Sequence, residues 1–364
     1  MKEKIGMDRR HLWGIVFLIL TAALIGGCAA PQRKVSPAET PPVEAKPVKP
    51  PRVEPTPPPV PKVSARMFPE FIAVIAQEGD TLTSLAAKYL NDPSMDWQIA
   101  DYNEVQTLQP GQPLIIPLKP YERGGLIPKG YQTVPVLSYH HFSLTGTNKM
   151  TVTQAAFEEQ MNLLQEKGYR VITMDQLFDY LEFKRQIPKK SVVITIDDGW
   201  RSTYEIAFPI LKKYGYPATL FVYTDLIVGS DKTLSWELIQ EMANNGMDIQ
   251  CHTKTHRNLT VMEKKESFKK YFEAGEKEVT FCPTLVKKKL NRNVKYLAYP
   301  YGDTNHLIIE MLKKNGYRGA FTVKRGGNPF FISDFRVNRS MVYGDFTLAQ
   351  FEKNLAFFQE EELK

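Results

Sequence analysis

Ser191-Val192-Val193-Ile194-Thr195-Ile196 runs without a break into Asp197-Asp198-Gly199-Trp200. A short apolar run rich in β-branched residues reads as a strand buried on both faces, the kind found in parallel sheets. Such sheets carry their chemistry at the carboxyl ends of the strands, and here two carboxylates stand at that end. The pattern recurs three times. Val136-Leu137-Ser138-Tyr139 leads into His140-His141, Met247-Asp248-Ile249-Gln250-Cys251 into His252-Thr253-Lys254-Thr255-His256, and Leu297-Ala298-Tyr299 into Pro300-Tyr301-Gly302. Strands are predicted over 134–139, 191–196, 218–223, 247–251, 294–299 and 319–323. Helices fall between them. One carries Phe157, Met161 and Leu164 on one face and stops near Gly168. Another opens with the capping box Thr173-x-x-Gln176, and others cover 204–214, 236–244 and 305–315. This alternation predicts an α/β domain with a parallel sheet, open or closed into a barrel.

The rim residues then suggest chemistry. Asp197 and Asp198 are adjacent and point in different directions, so by themselves they cannot form a glycosidase pair about 5–9 Å apart. His252 and His256 have the spacing of two neutral imidazoles sharing a divalent metal. With one carboxylate from a neighbouring strand end they make a site with open positions, where bound water is acidified and the second carboxylate can take its proton.

Around this domain the chain is differently composed. Of its 364 residues 47 are basic and 40 acidic, a net charge of +7. Residues 1–70 hold 11 of the basic and 6 of the acidic residues, so the excess belongs mostly to the tail and gives no reason to expect nucleic-acid binding. Three cysteines exclude a disulfide scaffold. Lys2, Lys4, Arg9 and Arg10 precede an apolar run from Leu12 to about Ile25, too short for a spanning helix of about 20 residues. Its end, Leu24-Ile25-Gly26-Gly27-Cys28, resembles a bacterial lipoprotein signal, which implies lipidation of Cys28 and a membrane anchor. With Ala29 rather than Asp after it, the resemblance implies the outer membrane, facing periplasm or surface. Residues 31–69 contain 13 of the 26 prolines and read as an extended linker.

Next come a strand at Ile72-Ala73-Val74-Ile75, a turn at Gly79-Asp80-Thr81-Leu82, helices near 82–90 and 97–103, a turn at Leu108-Gln109-Pro110-Gly111-Gln112 and a strand at Leu114-Ile115-Ile116-Pro117. This β-α-α-β unit resembles a LysM domain. The resemblance implies binding of GlcNAc-containing polymers, peptidoglycan above all, with Gly79, Asp80, Thr81 and Pro110 as candidate groove residues. Those four are open between groove and turn chemistry alone.

The large domain's motifs, Ile-Thr-Ile-Asp197-Asp198-Gly199-Trp200, His252-Thr-Lys-Thr-His256 and Tyr-Pro300-Tyr301-Gly302, stand in the order of the polysaccharide deacetylases, carbohydrate esterase family 4 with its NodB-homology domain. The resemblance implies a distorted (β/α) barrel. It also implies Asp197 as catalytic base, and Asp198, His252 and His256 as ligands of a metal, usually zinc, sometimes cobalt or nickel. The Tyr301 backbone N–H would help the metal steady the oxyanion. Two departures stand out. Ala298 occupies the position where many members have an arginine contacting the catalytic Asp, and no histidine follows His306. However, Val134-Pro135-Val136-Leu137-Ser138-Tyr139-His140 resembles the start of a subgroup acting on β-1,6-linked GlcNAc exopolysaccharide, in which the early Tyr-His supplies the acid, and this makes His140 the candidate acid. Arg339 is open between replacing the missing arginine and ordinary packing. Cys251 is open between metal ligand, buried strand residue and partner of Cys282. Trp200 and Tyr301 are open between stacking on sugar and core.

The expected organisation is a lipoprotein signal over 1–27, a linker over 28–70, a LysM domain over 71–118, a joint over 119–133 and a deacetylase domain over 134–364. The expected function is metal-dependent N-deacetylation of GlcNAc in peptidoglycan or a β-1,6-linked exopolysaccharide at the cell envelope. The second reading is an inactive, LysM-anchored wall-binding lipoprotein.

Overall fold

The computed structural model describes residues 65–121, 124–146 and 148–362. The signal, Cys28 and the linker up to residue 64 lie outside them. Among the described residues no helix is long and apolar enough to cross a membrane.

The first elements are β1 (Ala65–Met67), β2 (Phe71–Ile75), α1 (Leu82–Leu90), α2 (Asp96–Asn103) and β3 (Pro113–Pro117). The three strands form an antiparallel sheet in the order β1-β2-β3, so pairing begins within the stretch read as linker. Ile72, Val74, Leu114 and Ile116 point one way from it and pack on Leu85, Ala86 and Ile99 of the helices. That is the period-2 alternation meeting the period-3.6 face.

After the short strands β4 (Leu126–Ile127) and β5 (Gly130–Gln132), the alternating domain runs through β6 (Val136–Tyr139), β7 (His141–Ser143), β8 (Thr151–Thr153), α3 (Gln154–Glu166), β9 (Arg170–Val171), α4 (Met174–Leu181) and β10 (Ser191–Asp198). It continues with α5 (Phe208–Tyr214), β11 (Thr219–Val222), α6 (Trp236–Asn244), β12 (Asp248–Cys251), α7 (Phe268–Leu290), β13 (Tyr296–Ala298), α8 (His306–Lys314), β14 (Gly319–Phe321), β15 (Ser340–Met341), α9 (Leu348–Glu352) and β16 (Phe358–Glu360). The main sheet is parallel, in the order β14-β13-β12-β11-β10-β6-β15, with β9 beside the start of β10. Val337, just before β15, pairs with Phe321 of β14 at the opposite edge. One segment therefore touches both edges and closes the curved sheet into a distorted barrel.

Alternation along the strands sorts the two faces. On β10, Val193 joins Val136, Phe221, Tyr296 and Phe321 in an inner cluster that Met174, Leu177 and Phe178 of α4 complete. Ile194 and Ile196 join Leu137, Leu220 and Ile249 in an outer cluster with α3, α5 and α6. Thr195 and Asp197 continue the inner face toward the carboxyl end. The expected helix over 204–214 opens instead with a π-helical turn, Thr203–Ala207, before α5. The 23-residue α7 has Pro283 inside it and lysines near both ends, Lys269 and Lys270 at the start and Lys287, Lys288 and Lys289 in the last turn.

Candidate active site

Period 2 along β10 brings Asp197 to the inner rim, and the turn that follows must hold two carboxylates apart. Asp198 does this with a left-handed φ of 79°, next to Gly199 at 119°. An L side chain rarely adopts the φ of Gly199, and a Cβ there would also push on the tip of Ile227 at 2.4 Å, so a substitution is strained. Strain gathers at this rim. Of nine non-glycine residues with positive φ among the described residues, four are here: Asp198, Thr253, His256 and Tyr301. Such backbone persists only where its surroundings over-determine it.

The rim encloses a cavity of about 520 Å³ lined by His140, Asp197, Asp198, Trp200, His252, His256, Tyr301 and Arg339, among others. Asp198, His252 and His256 each offer one ligand atom, all within 4.8 Å of one another. Asp198 Oδ1 lies 3.7 Å from His252 Nε2 and 3.8 Å from His256 Nε2. The second oxygen, Oδ2, accepts a hydrogen bond from Trp200 Nε1 at 2.8 Å, which leaves Oδ1 to face the imidazoles. His252 Nδ1 lies 2.7 Å from the Ala298 carbonyl. A carbonyl only accepts, so Nδ1 carries the proton and the Nε2 lone pair is free. Burial lowers the pKa of His252 against the pull of Asp197 and Asp198, favouring the neutral ring. Two imidazoles and a carboxylate, with Trp200 behind Asp198 and the Ala298 carbonyl behind His252, fit a divalent metal such as zinc.

Asp197 is 1% exposed and Arg339 0%. Arg339 Nη1 donates to Asp197 Oδ1 at 2.6 Å, and Nε donates to the Thr322 carbonyl at 3.1 Å. Burial alone would raise the Asp197 pKa, but Arg339, with His252 and His140, outweighs it and holds the carboxyl at about 2. His140 Nε2 stands 3.9 Å from the other carboxylate oxygen. His141 turns away from the cavity and stacks on Trp200 with 4.1 Å between ring centroids.

Several open readings are resolved by geometry. Arg339 is neither a surface nor a merely packing residue, because its guanidinium meets the buried Asp197. Cys251 is bonded to Cys282 and so is not a ligand. Tyr301 is 62% exposed at the cavity rim, with its ring 4.9 Å from that of His256, so it is no core residue. His306 opens α8 behind the Asn305 cap, exposed. In the small domain, Ala76 N donates to Gln112 O and Gly111 N to Ala76 O, which sets the Gly79–Thr81 turn beside Pro110. Local chemistry occupies that turn: Asp80 Oδ2 accepts from Gln77 N, and Thr81 caps α1. Sequence reasoning missed the Trp200 donor and the support of the His252–His256 loop by Glu278, whose partners are largely backbone groups that no side-chain pattern reveals.

Residues 184–320 match the family model described as polysaccharide deacetylase, and residues 74–117 that of the LysM domain. YxkH of Bacillus subtilis is 30% identical over 193 residues, 53% of this chain and 65% of that protein, so the chain spans a little under two thirds of its length. The poly-β-1,6-N-acetyl-D-glucosamine N-deacetylase of Staphylococcus epidermidis is 30% identical over 54% of this chain and 69% of its own. Among solved structures, the deacetylase PplD of Streptococcus pyogenes, in complex with acetate, superposes with a TM-score of 0.56 at 25% identity, over 61% of this chain and 98% of that one. With the motif residues gathered at one barrel rim and these likenesses covering the barrel, the chain belongs to the polysaccharide deacetylase family and carries a LysM domain ahead of its barrel.

Proposed function

We propose that this chain is a metal-dependent N-deacetylase acting on GlcNAc residues of a cell-envelope polysaccharide. The observation that carries the reading is Asp197 held between Arg339 and His140, beside the Asp198, His252 and His256 cluster, in one cavity. Those three residues would hold the metal, zinc first and cobalt or nickel as substitutes. When bound, it supplies a Lewis acid for the acetamide carbonyl and makes water acidic.

Arg339 keeps Asp197 ionised, and Asp197 takes a proton from the attacking water. A carboxylate with a pKa of about 2 is a weak base, so the chemistry depends on an acidic water. The hydroxyl of that water joins the acetyl carbon and the C–N bond breaks. His140, on the other side of Asp197, gives a proton to the departing nitrogen. Acetate and a free sugar amine leave. The Tyr301 N–H, at the cavity rim, would help steady the charge that develops on the carbonyl oxygen, an effect of the oxyanion-hole kind.

The staphylococcal relative favours β-1,6-linked GlcNAc as the polymer cleaved, and the LysM domain favours peptidoglycan as the polymer held. The chain works at the cell envelope or surface. The Cys251–Cys282 disulfide supports a compartment outside the reducing cytosol, and a lipid on Cys28 would tether the chain to the outer membrane. The inactive-platform reading rested on the arginine missing at Ala298, and Arg339 supplies a cation to Asp197 instead.

Acetate release from β-1,6-GlcNAc oligomers, peptidoglycan and chitooligosaccharide, with the chain loaded with zinc or cobalt, tests this. Release from one polymer that disappears in Asp197→Asn is the expected outcome. No release from any of them by metal-loaded, folded protein would sink the enzyme reading and leave the binding platform.

A further inference from the structure

Helix α7 grips the segment that carries the two histidine ligands at two places, one just before it and one within it. Cys282 is bonded to Cys251, the residue before His252. One turn earlier on the same face of α7, Glu278 is 5% exposed. Its Oε2 accepts from the backbone N–H groups of Lys254 and Thr255, both at 2.9 Å, and its Oε1 accepts from Thr255 Oγ1 at 2.7 Å. The loop needs such support. Thr253 and His256 have φ values of 71° and 64°, a region that β-branched and bulky residues leave when nothing holds them there.

The two histidines are held differently. The His252 ring is oriented by the Ala298 carbonyl. The described contacts of the His256 ring are with other rings, His252 at 4.7 Å, Tyr301 at 4.9 Å and Tyr223 at 5.2 Å, and with Asp198 at 3.8 Å. Its backbone N–H donates to Thr253 Oγ1, so the ring goes where residues 253–256 put it. Those are the residues Glu278 pins.

We propose that Glu278 is a positioning residue for the metal, setting the place of His256 through the Lys254–Thr255 backbone. This rests on the metal-centre reading above. Outer partners of metal ligands commonly set affinity by about 10–100-fold, and Glu278 is such a partner one step removed, acting on the ligand's backbone rather than its ring.

The test is zinc affinity of the full chain with its disulfide intact, measured by competition with a chromogenic chelator, for wild type, Glu278→Gln and Glu278→Ala. Melting of the metal-free forms and the visible spectrum of the cobalt forms are recorded alongside. The expected result is a loss of zinc affinity of about 10–100-fold in Glu278→Ala and a smaller loss in Glu278→Gln. In Gln the amide NH₂ can no longer accept from one of the three donors. The metal-free melting of Glu278→Gln should stay close to wild type while its cobalt spectrum changes, a pattern that a merely structural role would not produce. If Glu278→Ala fails to fold, Glu278→Gln decides. Zinc affinity and cobalt spectrum equal to wild type in the folded variants overturn the assignment of Glu278 while leaving the metal centre standing. A wild-type chain that binds no zinc overturns both.

Discussion

A buried carboxylate is stable only with a partner, and for Asp197 that partner is Arg339, contributed by a segment with no motif of its own. Arg339 does more than carry charge. Its Nε is tied to the Thr322 carbonyl, and its guanidinium lies over the Phe221 ring at 5.5 Å, so the group is aimed as well as present. Arg339→Met would leave Asp197 buried and unpaired. Such a break costs about 3–5 kcal/mol, to be read from urea unfolding. Burial would then raise the Asp197 pKa against only His252 and His140, and acetate release should fall by about a hundredfold or more. Arg339→Lys restores the charge without the fork, so it should recover stability better than activity.

At the scale of elements, Arg318 clamps α4 to the β13–β14 edge. It donates to Asp179 at 2.6 Å, to Glu182 at 2.7 Å and to the Tyr296 hydroxyl at 3.1 Å. The hydrogen bond from Arg318 lowers the Glu182 pKa from 4.5 to about 2, with burial working against it and Lys184 with it. A depressed carboxylate contributes stability that is complete above its unfolded value and is lost as pH falls through the folded one. Acidification from 4.5 toward 2 should therefore destabilise the wild type more steeply than Arg318→Ala, as followed by denaturant unfolding at each pH. Elements of this kind differ in how they show in a sequence. The buried strands are legible because Val192–Ile196 and Leu220–Val222 are continuous apolar runs, and the rim is legible because Asp and His follow them directly. Helix α7 is not, because Gly275 and Pro283 interrupt its period and lysines crowd both ends. Strand β15 is two residues long and leaves no period at all. Arg339 could be singled out only by the gap at Ala298, and Glu278 not at all, since what it holds is largely main chain.

At the scale of the molecule, the LysM unit and the cavity lie at opposite ends of the strands. Asp96 pairs with Arg170 at 3.0 Å, and Asp101 Oδ2 accepts from Lys189 N at 2.9 Å. Arg170 begins β9 and Lys189 precedes β10, whereas the cavity opens at the carboxyl end of β10. A polymer bound at the LysM turns would therefore not be the stretch lying in the cavity. Asp80→Ala together with Pro110→Ala should leave kcat and KM for a short soluble oligomer unchanged. Retention and turnover on insoluble polymer should fall by about tenfold or more, the scale of lost linked binding, as a sedimentation and acetate assay would read. The closing segment has a temporal meaning too. Asp197 and Arg339 are 142 positions apart, and the same segment joins the first strand of the barrel to the last. A nascent or partly translocated chain lacking it has an open sheet and a carboxylate with no cation to bury beside. Closure of the sheet and the pairing of Asp197 with its guanidinium therefore come in one step, once residues 337–341 are in place.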